Sequence, residues 1–421
     1  MKTRTVAAFL VAMLVAAALL ATCPLNAQES VPAASWPEFH GPTRDNISPE
    51  KGLLKQWPEG GPRLIWKFSE CGNGYSGVTI ADGMIFTAGD FGDEEVLLAL
   101  DMQGKLLWRS PSGSSWTGAS PGSRATPTYN EGRLYHLTPS GRLAAFEAKG
   151  GKEVWAVDLK ADFGARWGVW ALAENVVVDG DKVLCVPGGT KGVVVALDKR
   201  TGKTLWANTE LDDRAAYCSP NLVTYQGVRQ LITMTNETVI GIDVASGKLL
   251  WKHPFPPKSP QHATTPVFRD GHVFVAAGHG KGATLLKISP DLGSAAEVWS
   301  RTDFDNCHGG VILVDGRLYG CGCRLGGKAF FCVDFLTGKE RQKDMTLGKV
   351  AMTCADGMLY CLNHNGRMYL LEITPEGFRI ASRFELPKRP DNSYLAHPVV
   401  CGGRLYLRYE QNLWAYDIKA K

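Results

Sequence analysis

Side chains able to do chemistry are concentrated at a few places in this chain. Cys307-His308 and Cys321-Gly322-Cys323 combine thiols with an imidazole, donors that suit zinc or copper. Alternation along a strand puts Cys321 and Cys323 on one face. The same cysteines also suit a disulfide within this region, with Cys332 or Cys307 as partner, or small buried filler. No metal site is assigned from the sequence. Gly72-Asn73-Gly74-Tyr75-Ser76-Gly77 has the spacing of a dinucleotide-binding loop, which needs a strand before it and a helix after it. Val78-Thr79-Ile80 starts another strand instead, so the segment reads as a flexible lead-in. A third set is dispersed: Trp116, Arg124, Arg166, Trp167, Trp170, Tyr217, His262, Asn306, His308, Tyr394 and His397. A guanidinium with imidazoles and indoles around one opening would receive an anionic or planar ligand. These residues can act together only if the fold gathers them.

The elements that would gather them are repeats. Ala196-Leu197-Asp198-Lys199-Arg200-Thr201-Gly202-Lys203-Thr204-Leu205-Trp206 is the fullest copy of one phrase. Gly241 to Trp251 repeats it, Ala145 to Trp155 has Glu147 for the Asp, and Ala99 to Trp108 is one residue shorter. Cys332 to Gln342 has Gln342 where the Trp should be. Leu286 to Trp299 and Leu371 to Arg383 are looser and longer. Before each copy stand two apolar runs joined at a glycine: Gly83, Gly132, Gly180, Gly227, Gly271, Gly316, Gly357 and Gly403. These glycines recur every 41–49 residues, a period of propeller blades or helical arrays. Val176-Val177-Val178-Asp179-Gly180-Asp181-Lys182-Val183-Leu184-Cys185 decides between them, because two β-branched runs around Asp-Gly make a hairpin. The chain after its leader has no apolar stripe of helical period and length.

Each unit therefore reads as four short strands, A to D, with Trp on the last, and the fold as an all-β, eight-bladed propeller of four-stranded antiparallel blades. The last unit, from Ala396 to Ile418, lacks a D strand, while Pro62-Arg63-Leu64-Ile65-Trp66-Lys67 resembles a D strand with nothing before it. An N-terminal strand at residues 64–68 is expected to close the eighth blade and leave no gap in the ring. Residues 62–421 then allot 45 residues to each blade. The dispersed polar and aromatic set falls on the loops leading into innermost strands, where propellers bind ligands around their channel. Residues 28–61, rich in Pro and Gly, are expected to form an extended arm on the propeller, anchored by Trp36, Phe39 and Trp57.

The N-terminus has a basic start, Lys2 and Arg4, an apolar run from Val6 to Ala21, and a small residue at Ala27. That is a signal-peptide layout with residues 1–27 removed, and it implies a periplasmic or secreted protein. Lipidation of Cys23 is the lesser reading, because Thr22 fits a lipobox poorly. Nothing downstream reads as a transmembrane helix. Cleavage lowers the net charge of +4 to +2, which argues against nucleic acid or anionic lipid as the main partner. Ten cysteines remain of eleven, mostly in apolar strand-like runs that suit burial.

The phrase Ala-x-Asp-x-x-Thr-Gly-Lys-x-x-Trp resembles the tryptophan-docking repeat of the pyrroloquinoline-quinone (PQQ) type propellers. These include quinoprotein alcohol dehydrogenases and the propeller lipoprotein of the outer-membrane barrel-assembly machinery. Trp36…His40-Gly41-Pro42-x-Arg44-Asp45 and Leu64-Ile65-Trp66 look like the secreted PQQ-binding-like propellers of planctomycete-type bacteria. The resemblance covers residues 36–421 and implies the fold more strongly than any activity. Dehydrogenase members are expected to carry adjacent cysteines over the quinone, a calcium site of acidic and amide side chains, and often a Cys-x-x-Cys-His haem site. This chain has no adjacent cysteines and no Cys-x-x-Cys-His. The expectation is an exported, non-catalytic monomer without cofactor that binds a protein or small ligand on one face. A PQQ-dependent oxidoreductase and an envelope-assembly factor remain open as alternatives.

Overall fold

Eight four-stranded antiparallel sheets follow one another along the chain, with one short helix at Leu159–Phe163 among the described residues. The computed structural model describes residues 34–258, 262–323, 329–387 and 393–420. The leader expected at residues 1–27, with Cys23, lies outside them. Among the described residues no helix is long and apolar enough to cross a membrane.

The first strands of successive blades touch one another, so they line the central channel. They are short, for example Thr79–Ala81 in blade 1, Val177–Asp179 in blade 3 and Val399–Cys401 in blade 8. Asp-Gly turns join many of them to their second strands. At Asp82-Gly83 both residues have positive φ, 50° and 71°, as a type I′ hairpin turn requires. Arg63–Phe68 pairs antiparallel with Asn412–Asp417 and closes the eighth blade, as the repeat count requires.

Every outer strand carries a bulge at the residue before the recurring Trp position, as between Thr204 and Trp206 or Leu64 and Trp66. The bulge twists the open edge, which discourages pairing with another chain, and leans the Trp toward the next blade. Trp66, Trp108, Trp155, Trp206 and Trp299 each donate Nε1–H to a carbonyl of that neighbour, at 2.9–3.1 Å. The indole of Trp206 lies flat on Gly247, where a Cβ would come within 2.6 Å of the ring, so only glycine fits beneath it.

Three junctions depart from this pattern. Trp251 faces a longer turn in blade 5 and folds back onto Gly241, donating to Gln230 Oε1 at 2.9 Å. Gln342 keeps the docking role by accepting from Phe378 N of blade 7 at 2.7 Å. Ser382 occupies the Trp position of blade 7, and the arm supplies the missing ring. Trp57 is 4 % exposed, packs on Phe384 and Tyr360, and donates its backbone N–H to Ser382 Oγ. Next to it, Leu54 N donates to Ile418 O and Ala420 N to Gly52 O, so residues 52–57 seal the junction between blades 7 and 8.

The rest of the arm passes through the channel and does not simply lie on the ring. Trp36 exchanges two backbone hydrogen bonds with Ile80 of blade 1, and Pro37 O accepts from Tyr129 N of blade 2. Arg44 Nη2 donates to Val178 O of blade 3, and Ile47–Ser48 adds a parallel fifth strand to Val350–Ala355 of blade 7. Channel-facing strand edges carry backbone groups that need partners. The arm supplies several of them and narrows the bore.

Candidate functional site

Where the strands begin, the arm floors a cavity of about 300 Å³. Phe39 forms the floor, and the wall comes from loops leading into the innermost strands of blades 1 to 6 and 8. Proline before several of these strands holds the preceding residue extended, as in Thr126-Pro127, Ser219-Pro220 and His397-Pro398. Side chains at the same positions stitch neighbouring blades together. Thr126 N donates to Asn175 Oδ1 at 2.5 Å, and Asn175 Nδ2 donates to Ser219 Oγ at 2.8 Å.

Of the dispersed set, the structure places Arg124, Trp170, Tyr217, His308 and His397 on this one wall. The Arg124 guanidinium is held by three carbonyls, Trp170 O at 2.7 Å, Gly122 O at 2.8 Å and Ala119 O at 2.8 Å. Burial lowers its pKa, opposed by Tyr75, Glu95, Asp90 and Tyr217, and it stays a cation. Trp170 meets Tyr217 edge to face at 5.5 Å. His308 Nε2 is buried without a hydrogen-bond partner among the described residues, and Tyr217 Oη lies against the Trp170 backbone. Burial pushes His308 down to about 3 and His397 to about 4, so both imidazoles are neutral at pH 7. His397 Nε2 donates to His308 O at 2.8 Å, and its Nδ1 then accepts from Asn46 Nδ2 at 3.2 Å. Phe39 and His40 stack at 3.9 Å against His397, which joins the arm to the wall.

The other candidates are engaged elsewhere. Trp116 lies behind Arg124, with the guanidinium 5.8 Å from its ring and Nε1–H donated to Ala119 O. Arg166 pairs with Asp212 at 2.6 Å and with Gly188 O. Trp167 packs over Gly141 beneath Lys160. His262 is buried against Phe255, contacts its carbonyl oxygen through Nε2, and is pushed by burial to about 4. Asn306 is fully buried and ties Thr264 to Gly310 O and Cys321 O. Tyr394 stacks on Tyr409 at 4.0 Å and donates to Pro387 O. Their types suit a ligand, but their contacts hold loops.

Among the cysteines, Cys323 is bonded to Cys307, the more distant along the chain of the two disulfide partners open in the sequence. Cys321 is instead a buried thiol against the Val350 backbone. His279, which sequence reasoning passed over, stands beside that pair, and His308 does not. Tyr75, Asn175 and Phe39 were also missed as wall residues. For Tyr75 and Asn175 the signal was present, since both closely precede an innermost strand. Phe39 carried none, because nothing in the arm says that it enters the channel.

Comparison with known proteins gives the family. The family model described as outer membrane protein assembly factor BamB matches residues 92–344. The chain belongs to this PQQ-repeat β-propeller family. Within it, the BamB assembly factor of Salmonella typhimurium is 27 % identical over 213 residues, covering 49 % of this chain and 48 % of that protein. Quinohemoprotein alcohol dehydrogenase ADH IIB of Pseudomonas putida is 26 % identical over 213 residues, or 47 % of this chain and 26 % of the enzyme. The chain thus spans about a quarter to a half of the length of these relatives. BamB from Moraxella catarrhalis superposes with a TM-score of 0.59 at 14 % identity, over 85 % of this chain and 98 % of that one. Quinohemoprotein alcohol dehydrogenase from Comamonas testosteroni gives 0.64 at 12 % identity, over 92 % and 81 %. At such identities the superpositions show the fold alone.

Proposed function

We propose that this PQQ-repeat propeller is an exported binding module of the cell envelope. Its channel mouth would take a small planar molecule bearing an acceptor group, or the same group displayed by a protein. The observation that carries this reading is the pairing of an aromatic wall with a buried polar atom that lacks a partner, His308 Nε2. Such atoms cost stability unless something bonds them. Phe39, Trp170 and Tyr217 supply flat apolar surface, and Arg124 supplies positive charge without an acid in direct contact. Export is supported by the leader-like N-terminus and by the family's outer-membrane description.

An oxidoreductase reading is favoured by the dehydrogenase relatives, and the donor set weighs against it. Among the described residues no Asp or Glu lines the cavity, so that wall offers no carboxylate for a calcium ion or for a substrate hydroxyl proton. The two wall imidazoles are held neutral and weakly basic. The residues present therefore do not fit PQQ with its metal.

Calorimetric titration with PQQ itself, and with naphthalene dicarboxylate as a simpler planar acid, tests the reading. The wild-type chain is expected to bind at least one of them. Tyr217→Phe, which removes only the wall hydroxyl, should weaken binding roughly three- to tenfold. Equal affinity in Tyr217→Phe, or no binding of either probe, refutes the site. Dye-linked alcohol oxidation after addition of PQQ and calcium would overturn the non-catalytic reading.

A further inference from the structure

Three loops meet at one side of the channel mouth. Residues 278–281 join the second and third strands of blade 5, residues 302–310 lead into blade 6, and Cys323 follows the blade 6 strand Arg317–Cys321. One fully buried carboxylate ties them together. Asp305 Oδ2 accepts from Gly280 N at 2.8 Å and Oδ1 from Cys323 N at 2.9 Å. Asn306 pins the same turn through Gly310 O and Cys321 O. This framework brings ligand atoms of His279, Cys307 and Cys323 within 4.8 Å of one another. Cys307 and Cys323 are joined, with Cα atoms 5.7 Å apart, and Cys307 also lines the cavity.

We propose that this cluster has two chemical states: a disulfide when oxidised, and a Cys2His site for a zinc-class divalent metal when reduced. A dithiol reductant gives two electrons and two protons to the S–S bond and leaves as its own cyclic disulfide. Cys307 and Cys323 are then thiols. A divalent ion displaces their two protons, binds both thiolates, and takes the neutral imidazole of His279 as third ligand. Two thiolates balance the charge of the ion. Three protein ligands leave a fourth position open, and Cys307 sets it beside the cavity. Oxidation reverses the sequence: the thiolates form the S–S bond, give two electrons to a disulfide oxidant, and release the metal. Asp305 holds the backbone on both sides of the cluster and keeps the three residues together in either state. The remaining described cysteines are buried, which limits competition for the ion.

The test is cadmium titration of the full chain, with and without prior reduction by a phosphine that is then removed under argon. Reduced protein is expected to bind one equivalent, with a thiolate-to-cadmium charge-transfer band in the ultraviolet. Oxidised protein serves as the matched control and is expected to show neither. Cys307→Ser should abolish the band, and His279→Ala should keep it while weakening affinity by roughly tenfold or more. Equal binding by reduced and oxidised protein overturns the two-state site. So does unchanged affinity in His279→Ala, because the imidazole would not then be a ligand. Should Cys307→Ser fail to fold, the comparison of the two redox states of wild-type protein still decides.

Discussion

Glu174→Gln should change how stability depends on pH, and by a large amount. Glu174 stands between two residues of the cavity wall, Ala173 and Asn175, and is 2 % exposed. Its Oε1 accepts from Val186 N at 2.7 Å, and its Oε2 has no hydrogen-bond partner among the described residues. Burial raises this carboxyl from 4.5 to about 8, against the weaker opposing effect of the Val186 hydrogen bond. An acid raised on folding contributes its full stability below its unfolded pKa and loses it as pH climbs through the folded value. The window here is therefore about pH 4.5 to 8. At 1.36 kcal/mol per pKa unit the whole excursion is worth on the order of 4–5 kcal/mol. That is a large part of the stability of an ordinary domain. Glutamine keeps the acceptor for Val186 N and cannot ionise. It should match wild type, or fall about 1 kcal/mol below it, at pH 5, and become the more stable chain by several kcal/mol near pH 9. Equilibrium urea unfolding followed by tryptophan fluorescence from pH 5 to 9 measures the difference curve. Asp90 and Glu38, both raised by burial to about 7, titrate in both proteins and cancel. Parallel curves for the two chains would refute the assignment of a buried, mostly protonated Glu174 at neutral pH.

Buried histidines act on the other flank. His308 and His397 are lowered by burial, so their contribution is lost as pH falls below the unfolded value near 6.5; His308→Gln should flatten the unfolding midpoint between pH 6.5 and 4. Trp57→Phe and Trp251→Phe remove similar volume from buried sites, yet Trp57 Nε1 has no partner while Trp251 Nε1 bonds Gln230. Urea unfolding should therefore show Trp251→Phe costing about 1–3 kcal/mol more, and equal costs would contradict the docking scheme. Deleting residues 62–68 removes the outer strand of blade 8 and should abolish the cooperative calorimetric transition. A truncated chain that melts like the intact one would sink the closure.

The blade number, the turns and the closing strand were all legible because they rest on local chemistry repeated eight times. Asp-Gly pairs select hairpin turns, and the phrase ending at Trp206 encodes both a turn and the ring that docks on the next blade. The site was legible only in outline. The loops before innermost strands do surround the cavity, but residue type could not separate Arg124, which faces it, from Arg166, which pairs with Asp212. Both are arginines near aromatics in corresponding loops, and a single ion pair decides between them.

The sequence by itself determined the all-β repeat and its count, since each follows from neighbours a few residues apart, and the incomplete last unit with the solitary first strand implied the closure. Tertiary structure alone decided where the arm goes, which cysteines join, and which side chains share a wall. Ile47–Ser48 pairs with a strand some three hundred residues away, His279 reaches Cys307 and Cys323 from another blade, and Trp57 fills a gap that Ser382 leaves open. Those contacts depend on the width of the closed channel and on which backbone groups its edges leave unpaired. Neither quantity exists until all eight blades have met.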